Sequence, residues 1–351
     1  MNDTVSPVEE SPGRVRISLA AAMTLGFRPG LFFRNAKLTC INVLMQYSDG
    51  CKANCLYCGQ AREILGGSEC KNLIRVEWPS YSLDEVIQRT KVVKSDVKRV
   101  CVSMVTHPKA REDILTIIER FREGVDLPIS ALITPTLVTR EYMERVKEAG
   151  AEIIGIALDV ASPELFYKLR GRGAKSPHSW GRHWDGLREA VKVMGMGRVG
   201  CHLIVGLGET EEEMSSIIQE VHDIGAQTHL FSFFPEANSI LETRPQPPLG
   251  QYRRVQLVRY LIDRGLSRFE HMEFDEAGRI TDFGIDNNAV TEIIRTGDPF
   301  ETSGCPGCNR PYANERPSQP IRNFPFPPKR EDVEDIEKQI WIYEQPLLLR
   351  Q

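Results

Sequence analysis

Short apolar runs alternate with amphipathic, helix-like segments six or seven times along this 351-residue chain. The first pair joins "KLTCINVLMQY" to "SLDEVIQRTKVVKS", and the last candidate strand is "SRFEHMEF". Such alternation predicts an α/β fold with a parallel sheet. Because the chain lacks a nucleotide-type glycine fingerprint, a complete or partial (β/α) barrel of TIM type is favoured over an open sheet.

The alternation begins near Lys37 and fails near residue 297, so three parts are expected. Residues 1–36 would form an N-terminal helical extension, with a short helix in "RISLAAAMTLGFRPG". Residues 37–296 would form the barrel, and residues 297–351 an irregular, Pro- and Asn-rich C-terminal tail that ends in a helix-like segment. Capping boxes are predicted at Ser82–Glu85 and Thr210–Glu213. Barrel enzymes place their chemistry at the C-terminal ends of the strands, so the loops there are the first places to search.

Composition excludes several classes of partner. The formal net charge of -4 gives no electrostatic reason to expect nucleic acid or an anionic membrane. No run of about 18 apolar residues exists, which argues against a membrane span. The start of the sequence does not resemble a secretory signal, so a cytoplasmic location with reduced thiols is expected.

Three of the nine cysteines, Cys51, Cys55 and Cys58, directly follow the first predicted strand. A structural zinc site normally closes its tetrahedron with four ligands. Three thiolates on one loop instead suit a [4Fe–4S] cube that leaves one iron free for another ligand. Tyr57 precedes the last cysteine and is a candidate to pack on a flat base. The alternative is a zinc site completed by a distant Cys or His.

The C-x3-C-x2-C spacing, with an aromatic residue before the last cysteine, resembles the radical S-adenosylmethionine (SAM) superfamily. The resemblance implies a [4Fe–4S] cluster that cleaves SAM reductively to a 5′-deoxyadenosyl radical, which then abstracts an unactivated hydrogen. It also implies an electron donor such as ferredoxin.

Two further stretches resemble the same superfamily. "IVGLGETEEE" is similar to its strand-five motif, which implies that Ile204, Gly206 and Glu209 border the adenine. "IALDVASPELFYKLRG" resembles the biotin synthase stretch after strand four, in which Asp159 matches the aspartate that binds the SAM ribose. Ala157 stands where that family has an asparagine. A tight turn at Gly206 and a helix cap at Asp159 are the structural alternatives.

A second cysteine pair, Cys305 and Cys308, lies on a Gly/Pro turn that aims both thiolates at one point. An auxiliary iron–sulfur cluster is the favoured interpretation, with a zinc knuckle or a redox pair as alternatives. Further ligands would come from cysteines on predicted strands. Cys40 is the first choice, and Cys201 or Cys101 are alternatives that match ligand positions of the biotin synthase cluster. Each strand cysteine is also compatible with a core position.

The resemblance to biotin synthase extends from about Lys37 to Phe274, but that family's third cluster cysteine is absent near Ala131. The ends of the chain, including "CNRPYANERP", resemble the archaeal-type two-component lipoyl synthases, and in particular their second member. This resemblance implies sulfur insertion into octanoyl-lysine on a lipoyl-accepting protein. An auxiliary cluster would donate the sulfur, and a second radical SAM lipoyl synthase subunit would act beside this one.

The sequence leaves several interpretations open. Biotin synthase or another radical SAM sulfur-inserting enzyme is the catalytic alternative, and a zinc-binding scaffold protein is the non-catalytic one. Phe231, Phe233 and Phe234 are candidates to line an acyl channel, or are simple core residues. Arg310 and Arg316 are candidates to hold the SAM carboxylate or the acceptor protein, or are surface arginines.

Overall fold

The computed structural model describes residues 10–64 and 72–343. Cys70, to which no role is assigned, lies outside them. The strands are β1 Arg14–Ile17, β2 Cys40–Leu44, β3 Asn72–Leu73, β4 Val76–Glu77, β5 Ser80–Ser82, β6 Arg99–Ser103, β7 Ile129–Ile133, β8 Ala151–Asp159, β9 Val199–Val205, β10 Gln227–Ser232, β11 Glu273–Phe274 and β12 Ile280–Asp282. The helices are α1 Leu19–Thr24, α2 Leu83–Val92, α3 Ala110–Gly124, α4 Arg140–Ala149, α5 Pro163–Leu169, α6 Trp180–Met194, α7 Glu211–Asp223, α8 Leu249–Asp263, α9 Asn287–Thr296 and α10 Arg330–Ile340.

Eight strands form one sheet in the order β10-β9-β8-β7-β6-β2-β1-β5. The six strands from β2 to β10 in this order are parallel to one another, whereas β1 pairs antiparallel with both β2 and β5. The predicted α/β fold with a mostly parallel sheet is therefore confirmed. In the part of the chain that the structure describes, β10 and β5 remain the two edges of the sheet, so the barrel is partial.

The N-terminal stretch predicted as a short helix divides into a strand and a helix. Val15 and Ile17 are buried while Arg14 and Arg16 are half-buried, which is the period-2 pattern of a strand. Ser18 then begins α1, because its hydroxyl accepts a hydrogen bond from the amide of Ala21 at 3.1 Å. This stretch thus adds β1 to the main sheet.

The seventh predicted strand, "SRFEHMEF", is wrong as a barrel strand. It forms a 3-10 turn, Phe269–His271, followed by the two-residue β11, which pairs with β12 in a separate hairpin. Within residues 269–274 only Met272 is buried, so the segment has no continuous apolar face to place against the sheet.

One of the two predicted capping boxes is present. The Thr210 hydroxyl accepts from the amide of Glu213 at 3.0 Å, and the Glu213 carboxylate accepts from the amide of Thr210 at 2.8 Å. The box predicted at Ser82 is wrong, because the Ser82 side chain makes no capping hydrogen bond. Ser82 ends β5 and pairs with Arg14 instead.

The start of the C-terminal segment closes the barrel at the amino-terminal ends of its strands. The amide of Thr39, just before β2, donates to Asn309 Oδ1 at 3.0 Å. Arg99, the first residue of β6, donates from Nε to the carbonyl of Pro306 at 2.9 Å. The amide of Leu230 in β10 donates to Ser303 Oγ at 2.8 Å. These bonds hold Cys305 and Cys308 beneath the sheet.

None of the described helices is both long and apolar enough to span a bilayer.

Candidate functional site

A cavity of about 560 Å³ occupies the inside of the barrel, and its walls are mainly apolar. Residues from both ends of the barrel line it, including inward-facing residues of β2, β6, β9 and β10. Seven cysteines are among them: Cys40, Cys51, Cys55, Cys58, Cys101, Cys305 and Cys308. The two predicted metal sites therefore open onto the same cavity.

The three-cysteine loop follows the carboxyl end of β2 and is fixed by backbone hydrogen bonds. The amide of Cys58 donates to the carbonyl of Cys55 at 3.0 Å, and that of Leu56 donates to Leu169 O at 2.9 Å. Burial raises the pKa of the Cys55 thiol to about 11 and that of Cys58 well above its ordinary value. A metal or cluster bound by this loop would have to displace the protons of these thiols.

Beside this loop lies a buried network of Tyr57, Asp159 and Arg170. The Tyr57 hydroxyl donates to Asp159 Oδ2 at 2.5 Å, and Arg170 Nη1 contacts both that hydroxyl, at 2.9 Å, and the same carboxylate. Arg170 Nη1 also lies 3.6 Å from Cys55 Sγ. The predicted ribose-binding Asp159 has φ of +70°, a conformation held by these contacts.

Sequence reasoning missed Arg170. The available signal was its position as a cation at the end of the stretch that contains Asp159. Because Arg170 is buried, its charge requires a nearby anion, and Asp159 supplies it. Desolvation opposes the charged form, but the carboxylate outweighs it and the pKa of Arg170 is raised well above its ordinary value.

The three residues predicted to border the adenine separate into two groups. Ile204 lines the cavity. Gly206 and Glu209 lie in the turn between β9 and α7, outside the cavity lining. The Glu209 carboxylate accepts from the amides of Gly206, at 2.6 Å, and Leu207, at 2.9 Å. Burial raises the pKa of Glu209 to about 7. The role of this turn in adenine binding stays a prediction.

Four cysteines come together at the other end of the cavity. Cys40, Cys101, Cys305 and Cys308 all line this end, and each of the other three contributes to the raised pKa of Cys40. The amide of Cys308 donates to the carbonyl of Cys305 at 2.8 Å, which closes the predicted turn. The structure thus places Cys40 and Cys101 beside the C-x2-C pair.

Cys40 and Cys308 shift each other's pKa in opposite directions. The hydrogen bond from Cys40 lowers the pKa of Cys308 to about 6, and the guanidinium groups of Arg310 and Arg99 contribute to the same shift. The pKa of Cys40 is raised well above its ordinary value by the same hydrogen bond and by burial.

Cys201, the other alternative ligand, lies elsewhere. Its neighbours on β9, His202 and Ile204, line the cavity, so the alternation of a strand turns Cys201 to the opposite face. There it is fully buried in the hydrophobic core. The structure does not bring Cys201 to the four-cysteine group.

The side chains that the two predicted sites share as donors are cysteine sulfurs. Within residues 10–64 and 72–343, no three His, Cys, Asp or Glu side chains are grouped so that they could hold one metal ion. A zinc ion would require its sulfurs about 2.3 Å from one centre. An iron–sulfur cluster contributes its own iron and sulfide atoms, so its thiolates stand farther apart, and an all-thiolate donor set is what such clusters use.

Aromatic and basic side chains complete the cavity wall. Phe231, Phe233 and Phe234 all line it, as the acyl-channel interpretation requires. Arg310 lines it too, with its guanidinium 4.1 Å from the centre of the Phe231 ring. Arg316 is exposed and is not part of the lining.

Sequence reasoning also missed His202 and His229, which are paired residues on β9 and β10 and line the cavity. Burial lowers the pKa of His202 to about 3, with a further contribution from Arg310, so this ring stays neutral. Two histidines at matching positions in consecutive apolar runs were the signal available in the sequence.

The chain is similar in sequence to several known proteins. A family model described as the radical SAM superfamily matches residues 45–221. The biotin synthase of Prochlorococcus marinus strain MIT 9301 is 29% identical over 176 residues, which are 48% of this chain and 47% of that protein. The GTP 3′,8-cyclase of Limosilactobacillus fermentum is 22% identical over 274 residues, 76% of this chain and 74% of that protein.

Solved structures show the same fold. The FeFe-hydrogenase maturase HydG from Carboxydothermus hydrogenoformans superposes with a TM-score of 0.50 at 17% identity, covering 70% of this chain and 56% of that chain. The chain spans about half the length of the biotin synthases it matches first. The named relatives carry out different reactions, so the similarity shows a family and not one reaction.

Proposed function

This chain belongs to the radical SAM superfamily, and from that premise we propose that it inserts sulfur into octanoyl-lysine during lipoyl cofactor formation. The family implies SAM and a [4Fe–4S] cluster. The observation that carries the proposal is the single cavity onto which both cysteine groups open. A substrate carbon held there would lie between a radical source and a sulfur source.

At the first site, Cys51, Cys55 and Cys58 would hold the [4Fe–4S] cluster. When bound, the cluster and SAM supply a 5′-deoxyadenosyl radical that can break a strong C–H bond. Asp159, oriented by Tyr57 and Arg170, would hold polar atoms of SAM, and Ile204 would contact its adenine. Because Tyr57, Asp159 and Arg170 are buried, they would exclude water from this end of the cavity once SAM is bound.

At the second site, Cys40, Cys305 and Cys308 would hold the auxiliary iron–sulfur cluster, with Cys101 as the fourth ligand. Cys40 begins β2 and the three-cysteine loop follows its end, so the two sites lie at opposite ends of a strand that spans about 13 Å. The auxiliary cluster would supply the sulfur. Arg310 and Arg99 add positive charge beside four thiolates.

The wall between the two sites fits an acyl chain. Phe231, Phe233 and Phe234 present apolar surface, and an unactivated C–H bond offers no group for acid–base catalysis. The protein therefore contributes position and exclusion of water. An octanoylated acceptor protein, a second radical SAM lipoyl synthase subunit and a ferredoxin-type electron donor are the partners that this proposal requires.

Biotin synthase activity is the second candidate, favoured by the names of several relatives. The two candidates differ in substrate. Lipoyl formation acts on an acyl chain attached to protein, whereas biotin synthase activity acts on a free small molecule. Membership in an enzyme superfamily argues against the non-catalytic zinc scaffold.

The test uses the anaerobically reconstituted protein with SAM, a reductant and an octanoyl-lysyl peptide, with dethiobiotin in a parallel reaction. We expect 5′-deoxyadenosine together with a peptide that gains sulfur in mass spectrometry. The variant Cys305→Ala/Cys308→Ala should still cleave SAM but transfer no sulfur. Sulfur found on dethiobiotin alone would assign biotin synthase activity, and SAM cleavage without sulfur on either substrate would overturn both candidates.

A further inference from the structure

Glu236, at the cavity wall, carries a buried oxygen that has no hydrogen-bond partner within the described part of the chain. The described lining of the cavity contains two acidic side chains, Asp159 and Glu236. Asp159 is paired with Arg170 and Tyr57. Glu236 accepts one hydrogen bond through Oε1, from the amide of Arg75 at 2.5 Å. Its Oε2 is buried and has no hydrogen-bond partner among the described residues.

The position of Glu236 places that oxygen at the end of the cavity near the first cysteine group. Glu236 follows β10 and the aromatic residues that line the cavity, and it is only 5% exposed. A Cβ built on Gly59, next to Cys58, would lie 3.5 Å from Glu236 Oε2. The four-cysteine group lies at the opposite end.

A buried carboxylate oxygen without a donor is costly, because it has lost its hydrogen bonds to water and gained none in return. The nearest cation does not supply the missing bond: the Arg75 side chain donates from Nε and Nη2 to the carbonyl of Tyr312. A ligand that carries an N–H group into the cavity would satisfy the oxygen.

We propose that Glu236 accepts a hydrogen bond from the amide N–H that joins the octanoyl chain to the acceptor lysine. This inference rests on the proposed function. An octanoyl-lysine offers one N–H donor at the head of an apolar chain, and Glu236 offers, at the wall of a mainly apolar cavity, one acceptor oxygen that no described residue contacts with a donor. The contact would set how far the chain reaches toward the four-cysteine group.

The same contact would select the attached chain over the free acid. Free octanoate would bring its own carboxylate toward Glu236, and two carboxylates in a buried site repel each other. The amide has no charge and provides a donor. Glu236 therefore acts as a specificity residue for acyl groups in amide linkage.

Binding measurements test this without turnover. A fluorescent peptide with a central octanoyl-lysine is compared with the same peptide in which an ester oxygen replaces the amide nitrogen, using anisotropy with the reconstituted protein. Wild type should bind the amide about tenfold more tightly than the ester, as expected when a buried acceptor gains its hydrogen bond in one complex and stays unpaired in the other. Glu236→Leu should bind both peptides about equally.

Glu315→Gln is the matched control. Glu315 is also buried, with an Oε1 that lacks a partner in the described chain, but it does not line the cavity. This variant should keep the amide preference of wild type. The SAM dissociation constant of each variant, measured by equilibrium dialysis, shows whether the first site is intact and should not change.

The outcomes are distinct. If wild type binds neither peptide, the proposed function fails together with this inference. If wild type binds amide and ester equally, or if Glu236→Leu keeps the preference, the inference is overturned while the proposed function stands. If Glu236→Leu weakens SAM binding but not peptide binding, the carboxylate serves SAM and the inference is again overturned.

Discussion

At the scale of single residues, the direction of a side chain on its strand separates the cysteines near the cavity from those in the core. Cys40 on β2 and Cys101 on β6 face inward and meet Cys305 and Cys308. Cys201 on β9 faces outward and packs among apolar side chains. A strand alternates its two faces, so one residue along the chain decides between a ligand position and a core position.

Serine substitutions distinguish these two positions. Cys101→Ser should lower the iron content of the auxiliary site and leave the three-cysteine site loaded. Cys201→Ser should keep all of its iron but lower the free energy of unfolding by about 1–3 kcal/mol, because it buries a hydroxyl in the core. Iron analysis and thermal unfolding of both variants check this. Loss of iron in Cys201→Ser with full iron in Cys101→Ser would contradict it.

The local spacing of the sequence was sufficient to indicate the three-cysteine loop and the C-x2-C pair. It was not sufficient for Arg170 or Glu236, because each is defined by contacts with residues distant in the sequence. Arg170 meets Cys55, and Glu236 meets Arg75, only after the strands are paired. The choice between Cys101 and Cys201 also required knowing which face of its strand each side chain occupies, and composition does not specify that.

At the scale of elements, the turn from β9 to α7 shows how a motif can hold its own backbone. Gly206 has φ of +108°, and a Cβ there would lie 2.7 Å from Pro247 Cδ. The buried Glu209 carboxylate accepts hydrogen bonds from the amides of Gly206 and Leu207. Thr210 then begins α7 with its capping box. The motif therefore has a structural role beside its predicted contact with adenine.

Burial of Glu209 makes the stability of this turn depend on pH. Its pKa in the folded state, about 7, lies above the ordinary value of 4.5, so the folded protein binds the proton more tightly than the unfolded chain. The stabilisation is complete below pH 4.5 and is lost as the pH rises to about 7, a change on the order of 3 kcal/mol.

Glu209→Gln should therefore gain free energy of unfolding relative to wild type as the pH rises from 5 to 8. The amide cannot ionise, although its single carbonyl oxygen serves the two backbone amides less well. Urea unfolding of both proteins at several pH values gives the difference. A difference that stays constant with pH would show that Glu209 does not titrate in this range.

The parallel units of the barrel were predictable because each strand is a short apolar run followed by an amphipathic helix. Two elements were not. β1 is too short and too rich in arginine to be recognised as a strand, and it exists because β2 and β5 lie on both sides of it. "SRFEHMEF" has strand-like residues, but Met272 is its only buried apolar side chain, so it forms a small hairpin instead of extending the sheet at β10.

In the molecule as a whole, α10 is held both by the N-terminal segment and by the barrel helix α8. Arg34 in the N-terminal segment donates two hydrogen bonds to Asp332 on α10, at 2.8 and 2.7 Å. Arg254 on α8 pairs with Glu211 and donates to the carbonyl of Ile340, at the end of α10. These contacts hold the C-terminal segment in place and position Cys305 and Cys308 opposite the three-cysteine loop.

In the proposed mechanism, one cavity joins two iron–sulfur sites. Iron and sulfide analysis of the anaerobically reconstituted protein, beside Cys51→Ala/Cys55→Ala/Cys58→Ala and Cys305→Ala/Cys308→Ala variants, shows whether both sites exist. If both sites hold [4Fe–4S] cubes, wild type should contain about eight irons per chain and each variant about four. Zinc in place of iron at the first site, or full iron in the Cys305→Ala/Cys308→Ala variant, would contradict the account.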